Sequence, residues 1–205
     1  LDLIGPITPS SRRKHRFILT MVDSNTRFVS ALPLISKADV FSTLSRIIDV
    51  EAKRIGYYPS ILHSDRGTEF TNFEMDQYCI KHVIRQRFSD AYTPQQNGLA
   101  ERFNRTILES LRTIILDSGL SKSYWNEILK ATTLTLNQIP THRSKKSPYE
   151  LFKNQSIPLD FFRPIGNPVV VLSNSKNKAK LDPRGETGIL IGLNPELKSY
   201  RILTN

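Results

Sequence analysis

The sequence predicts an α/β fold: a mixed five-stranded sheet flanked by helices, followed by a small, incomplete β module. Three observations carry this. Three strand-like segments open the chain with only turns between them. A strand, a helix and a strand follow one another between residues 60 and 88. Past Pro148 the helical spacing gives way to short β-branched runs punctuated by Pro and Gly.

The opening segments are LDLIGPI (1–7), HRFILTMVD (15–23) and RFVSALPL (27–34), divided by the turn PSSRRK and by SNT. Strands joined this tightly pair antiparallel. From Ser36, read as an N-cap, apolar residues at Val40, Leu44, Ile47, Ile48 and Ala52 keep helical spacing until Gly56 and Pro59 stop it. SILHSD (60–65) is a short strand, TNFEMDQYCIKH (71–82) a helix and VIRQRF (83–88) a further strand, a crossover that implies parallel pairing. SDAYTPQQNG (89–98) has no apolar period and reads as a loop. The helix after it, about 96–117, carries the stripe Leu99, Phe103, Ile107, Leu111, Ile114 and Ile115. Gly119 ends that helix, and 121–139 forms another up to Pro140. The order βββαβαβαα makes a mixed sheet with helices on its faces.

Beyond Pro148, YELFKNQSIPLDFFRPIGN reads as irregular. PVVVLS (168–173) and TGILIG (187–192) are strand-like, and SYRIL (199–203) is a third strand. The expected division is therefore a core over 1–150, a linker over 151–165 and a small β module over 166–205. The chain opens without Met inside a strand, so further sequence is expected upstream.

At 205 residues and 39% hydrophobic the chain can bury one full core with an appendage left over. Its 29 Lys+Arg against 19 Asp+Glu leave a charge of +10, spread along the chain, which favours a polyanionic partner, nucleic acid before membrane. Cys79 is the only cysteine, which excludes an intrachain disulfide and a cysteine-based zinc site, and favours a reducing compartment. No run approaches the ~18 apolar residues that cross a bilayer, and the opening lacks a signal-peptide pattern, so no membrane role is expected.

Three acids fall where their elements could bring them together: Asp2 in the first strand, Asp65 at the end of the fourth, and Glu101 on the long helix. If the fourth strand lies beside the first, Asp2 and Asp65 become neighbours. Asn97, Asn104 and Arg105 share the face of Glu101, opposite the Leu99/Phe103/Ile107 stripe. Clustered carboxylates repel one another unless cations lie between them, and hard oxygen ligands select Mg²⁺ or Mn²⁺. Two such ions form the clamp used for in-line phosphoryl displacement, with no covalent nucleophile required.

Between Asp65 and Glu101 lie residues 66–100, thirty-five in all, in the contexts LHSDRGTEF and YTPQQNGLAERFNRT. This resembles the D,D-35-E signature of retroviral-type integrases. LDLIGP, VDSNTRFV, SKKSPYELFKNQ and KLDPRGETGILIGLNPELKSYRIL resemble, in this order, blocks of the Ty/copia branch of LTR retrotransposon integrases, so the resemblance spans nearly the whole chain. It implies a ribonuclease H-like fold, with Asp2, Asp65 and Glu101 as the catalytic and metal-binding triad. It also implies trimming of element DNA ends by water and strand transfer into target DNA by the resulting 3′-hydroxyl. A nuclear location, preceded by a cytoplasmic particle, multimers that join two ends in concert, and a host tethering factor belong to the same expectation. The family's zinc-binding His/His/Cys/Cys module is not in this chain, F-G-C-P reads IGNP at 165–168, and Gly-Tyr reads GL at 192–193. Asp23, in a turn, is read as a capping acid. Glu69 could turn toward the metals but is read as a helix-approach or surface acid.

Candidate DNA contacts are Arg12, Arg13 and Lys14 in the first turn, Asn104 and Arg105 on the helix, and Lys176, Lys178 and Lys180 in the β module. The segment THRSKK (141–146) is a further basic turn, and for any single basic cluster a solvated turn is favoured over a DNA contact. Tyr92, Gln95, Gln96 and Asn97 offer an aromatic face and amides to a splayed DNA end. His63 is read as a packed, hydrogen-bonded residue rather than a water-orienting one. Two alternatives stand beside an active integrase: a ribonuclease H-like nuclease that cuts without joining, and an inactive DNA-binding remnant.

Overall fold

The computed structural model describes residues 1–89, 98–141, 144–172, 181 and 184–204. They divide into two compact units, Leu1–Thr106 and Ile107–Asn205. In the first unit, β1 (Asp2–Ile4), β2 (Phe17–Val22) and β3 (Val29–Leu34) form an antiparallel sheet in that order, with Asp2 opposite Thr20 and Leu19 opposite Leu32. Pro33 lacks the N–H a central strand needs, and β3 is accordingly an edge of this sheet. After helix α1 (Asp39–Ile55), β4 (Ile61–Ser64) and β5 (Arg85–Phe88) pair in parallel across helix α2 (Phe73–Lys81). The antiparallel and parallel pairings are those the loop lengths imply.

A hydrogen bond joins the two sheets: the Leu1 backbone nitrogen donates to the carbonyl of His63 at 2.6 Å. β4 therefore lies beside β1, as the candidate site requires. The core between sheet and helices holds Leu19, Leu34, Val40, Leu44, Ile48, Phe70, Met75, Tyr78, Cys79 and Ile84. Val40, Leu44, Ile48 and Ala52 are the buried face of α1, the stripe expected from spacing apart from Ile47.

The start of α1 differs from the expectation that Ser36 is its N-cap. Ser36 and Asp39 close a turn, in which the Ser36 N–H donates to Asp39 Oδ2 at 2.9 Å and the Ala38 N–H donates to Ser36 Oγ at 3.2 Å. The helix begins only at Asp39. At α2 the Asn72 side chain accepts from the Met75 N–H and supplies a true cap.

Helix α3 (Gly98–Ser118) runs across the boundary between the units. In the second unit, α4 (Trp125–Leu136) is buried around most of its surface and packs on β7. The strands β6 (Pro168–Leu172), β7 (Gly185–Asn194) and β8 (Ser199–Thr204) form an antiparallel sheet. Glu127 on α4 holds Arg201 on β8 at 2.6 Å, with only 9% of its side chain exposed.

The stretch expected to be irregular after Pro148 carries a further helix, α5 (Pro148–Lys153). Its start is a capping box: the Glu150 N–H donates to Ser147 Oγ, and the Ser147 N–H donates to Glu150 Oε2. Among the described residues no helix is long and apolar enough to cross a membrane.

Candidate active site

Asp2 is half-buried in β1, with each carboxylate oxygen engaged. The Leu3 N–H donates to Oδ1 at 2.8 Å and the Asn104 amide donates to Oδ2 at 2.6 Å, while Thr20 Oγ1 donates to the Asp2 carbonyl. Burial raises the pKa of this carboxyl; the Leu3 N–H opposes the shift, and the charges of Asp65 and Glu101 add to it. Asp2 thus senses both other acids. The other amide atom of Asn104, Oδ1, is buried without a hydrogen-bond partner among the described residues.

Asp65 follows β4 directly and is exposed. The pairing of Leu1 with His63 brings it beside Asp2, which lies one residue past Leu1 as Asp65 lies two past His63. The loop it opens is tightly bonded: the Gly67 N–H donates to Asp65 Oδ1 at 3.1 Å, and the Phe70 N–H, Thr71 N–H and Thr71 Oγ1 all donate to the Gly67 carbonyl. Glu101 lies in the first turn of α3, exposed, while Ala100 beside it and Ile107 further along are buried. Its side of the helix is the one expected to be turned from the core.

Asp65 and Glu101 both act on Asp2, but the three acids are not assembled as a closed ligand set. Among the described residues, no three His, Cys, Asp or Glu side chains stand close enough together to hold a metal ion.

Asn104 takes a partner that spacing alone does not suggest, since it orients Asp2 from 102 residues away. Arg105 is exposed, as are Arg12, Arg13 and Lys14 in the turn between β1 and β2. Ser11 Oγ organises that turn by accepting from the Arg13 and His15 N–H groups, and Lys14 there takes a φ of 65°. Tyr92, Gln95, Gln96, Asn97, Lys176, Lys178 and Lys180 lie outside the described residues. His63 is a packed residue, its Nε2 3.2 Å from Ser89 Oγ, and burial lowers its pKa with help from the positive charge of Arg87. Asp23 caps its turn by accepting from the Thr26 N–H and Oγ1.

Glu69 lies on the approach to α2, one of the two places expected for it, and its side chain is largely covered rather than on the surface. Only 9% of its side chain is exposed, and Oε1 accepts from Lys37 Nζ at 3.1 Å.

Residues 2–94 match the family model of the integrase core domain, a match that ends before Glu101. The chain is 28% identical over 202 residues, 98% of its length, to the retrovirus-related Pol polyprotein from transposon TNT 1-94 of Nicotiana tabacum; it spans only 15% of that polyprotein. Among solved structures, the simian T-cell lymphotropic virus intasome in complex with PP2A regulatory subunit B56 gamma superposes on 99% of this chain. It does so with a TM-score of 0.59, 18% identity and 74% coverage of that chain. The HTLV-2 integrase catalytic core domain in complex with magnesium, in its trimeric form, covers 73% of this chain and 94% of its own, with a TM-score of 0.52 and 22% identity. At such identities the structural likeness speaks for the fold, which is the ribonuclease H-like one of integrase cores. In sequence, the chain is thus similar to the integrase core domain over residues 2–94 and to a retrotransposon Pol polyprotein over nearly its full length.

Proposed function

We propose that the chain trims element DNA ends and joins them to target DNA, with Asp2, Asp65 and Glu101 holding a pair of divalent cations, Mg²⁺ or Mn²⁺. The observation that carries this reading is the coupling of Asp2 to both other acids. A half-buried carboxyl whose pKa is raised by burial first and by two neighbouring carboxylates in addition is a place where a cation favours the charged form.

The residues fit such an ion by donor chemistry. Carboxylate oxygens are hard ligands, and the buried, unpartnered Asn104 Oδ1 beside Asp2 is a further acceptor of the right kind. When bound, the cations supply charge stabilisation at the phosphoryl oxygens and make a water or 3′-hydroxyl nucleophilic at neutral pH. The protein's own part is positional. Asn104 and the Leu3 N–H fix the direction of the Asp2 carboxylate, the bonded Asp65–Thr71 loop fixes Asp65, and α3 presents Glu101 on its exposed side. Arg12, Arg13 and Lys14 offer positive charge to DNA phosphates, and so do Arg105 and the lysines of the β module.

DNA at both ends of the element, a homo-oligomer able to engage the two ends together, a nuclear site of action and a host tethering factor complete the proposal. The division into a core (1–150), a linker (151–165) and a β module (166–205) belongs to it as well.

The test is strand joining of a labelled oligonucleotide end into plasmid DNA with Mg²⁺ or Mn²⁺. Asp65→Asn and Glu101→Gln are expected to abolish end trimming and joining while leaving DNA binding largely intact. Full turnover by either variant overturns the triad. Cutting without joining favours a nuclease, and binding without either reaction an inactive remnant.

A further inference from the structure

The Lys37–Glu69 pair lies outside the residues that the proposed reaction uses, yet it touches the loop that carries Asp65. Lys37 sits in the turn between β3 and α1, Glu69 in the loop between β4 and α2, and their bond spans 32 residues. The Glu69 side chain is only 9% exposed, and its Oε1 is turned to the more open Lys37.

Gly67 supplies the geometry. A methyl group placed on its Cα would lie 2.9 Å from Glu69 Cδ, 3.0 Å from Glu69 Oε2 and 3.1 Å from Asp65 Oδ1. The two carboxylates therefore flank one small space that only a glycine leaves open. Glu69 turns Oε1 to Lys37 and Oε2 to the Gly67 side, where Asp65 Oδ1 also lies and accepts from the Gly67 N–H. The Glu69 carbonyl in turn accepts from the side chain of Asn72, the residue that caps α2. The pair thus ties the β3–α1 turn, the Asp65 loop and the start of α2 into one bonded unit.

We propose that the Lys37–Glu69 ion pair is a positioning device for Asp65: it holds the Glu69 carboxylate against Gly67, and so sets the direction in which Asp65 presents its own oxygens. The proposal rests on the reading of Asp65 as a ligand of a divalent cation. It assigns no ligand role to Glu69 or Lys37.

The experiment is Mn²⁺ binding to the whole chain, read as free Mn²⁺ by electron paramagnetic resonance, with strand joining followed in parallel. The variants are Asp65→Asn, Glu69→Gln, Lys37→Met and the charge-swapped Lys37→Glu/Glu69→Lys. Lys37→Met decides between two physical roles. If the pair acted only through its charges, removing a cation near the site would tighten Mn²⁺ binding. If it positions Asp65, removing Lys37 weakens binding, by about tenfold for a residue that orients a ligand. The swapped pair recovers part of that loss. Lys37 is 56% exposed and Glu69→Gln is isosteric, so both variants keep the fold, which circular dichroism checks. Mn²⁺ binding by Lys37→Met at or above the wild-type affinity overturns the proposal. If instead Asp65→Asn binds Mn²⁺ like the wild type, the parent reading of Asp65 fails, and the positioning role falls with it.

Discussion

The Asn104 amide donates to Asp2 Oδ2 at 2.6 Å, joining the first turns of α3 to β1 across 102 residues of sequence. No period or spacing predicts such a bond. It also means that the helix carrying Glu101 is held in register with the strand carrying Asp2, three residues away from the acid itself.

Removing that amide should therefore cost activity more than stability. Asn104→Leu keeps the size of the side chain and deletes the donor, leaving Asp2 Oδ2 without its partner. We expect strand joining to fall about 10- to 100-fold, the range seen when a residue orienting a metal ligand is lost. The thermal midpoint should move by only a few degrees. A joining rate within twofold of wild type would show that Asp2 needs no such orientation.

Asp2 should cost the folded protein stability at neutral pH, a cost that fades in mild acid. Its pKa is raised in the folded chain, so between the ordinary aspartate value and the raised one the folded state binds more protons than the unfolded state. Stability then falls as pH rises through that window. Asp2→Asn removes the penalty and should unfold at a higher temperature than wild type at pH 7, with the difference shrinking below the usual aspartate range. Mn²⁺ should reverse the order at pH 7, because only the wild type regains the carboxylate as a ligand. Calorimetric midpoints at pH 3.5 and 7, with and without the ion, give the answer.

How much of this is legible in the sequence depends on the distance over which each feature is specified. The pairing of β1 with β2 and β2 with β3 follows from short turns, and the parallel β4–β5 pair from a helix between them. The Asp2, Asp65 and Glu101 candidates come from element order and a spacing of 35 residues. α5 escapes a reading of the sequence although its S-P-x-E start is present at Ser147–Glu150, because the prolines downstream read as breaks. Ser36 misleads for a local reason: its side chain and that of Asp39 close a turn that delays the helix by two residues. Lys37–Glu69 and Asn104–Asp2 are tertiary contacts between polar residues, which leave no periodic trace.

In the second unit, Glu127 is a carboxylate with 9% exposure whose strong partner is Arg201. Asn126 Nδ2 lies 3.2 Å from its other oxygen. Arg201→Met leaves that charge buried and underpaired, and should destabilise by about 1–3 kcal/mol. Adding Glu127→Gln should restore most of it, since a neutral amide is cheaper to bury than a carboxylate that has lost its ion-pair partner. Chemical denaturation of the two variants tests this; a double variant less stable than Arg201→Met would contradict it.

The basic turn between β1 and β2 makes a prediction about salt. Arg12, Arg13 and Lys14 are exposed on a turn shaped by Ser11. Replacing all three with Ala should weaken binding to DNA of any sequence. The slope of log affinity against log salt should then become shallower by about one for each DNA phosphate that the turn neutralises in the wild type. An unchanged slope would assign this turn to solvent.

Gly5 and Gly67 should respond to the same substitution in different ways. At Gly5 the backbone takes a φ of +135°, and an added Cβ would lie 2.7 Å from the Arg16 carbonyl and 2.8 Å from the Phe17 ring. Backbone cannot move aside cheaply, so Gly5→Ala should lower stability outright, by about 1–3 kcal/mol for strain of this kind. At Gly67 the obstructing atoms are the ends of the Glu69 and Asp65 side chains, which yield more readily than backbone although each is bonded. Gly67→Ala should lower the thermal midpoint less than Gly5→Ala does, because side-chain ends rather than backbone are displaced. It should nevertheless weaken Mn²⁺ binding and strand joining together, because the atoms displaced are the carboxylates whose direction the loop sets. A Gly67→Ala protein that joins DNA at the wild-type rate would mean that Asp65 tolerates displacement. The tight loop around it would then have only a structural role.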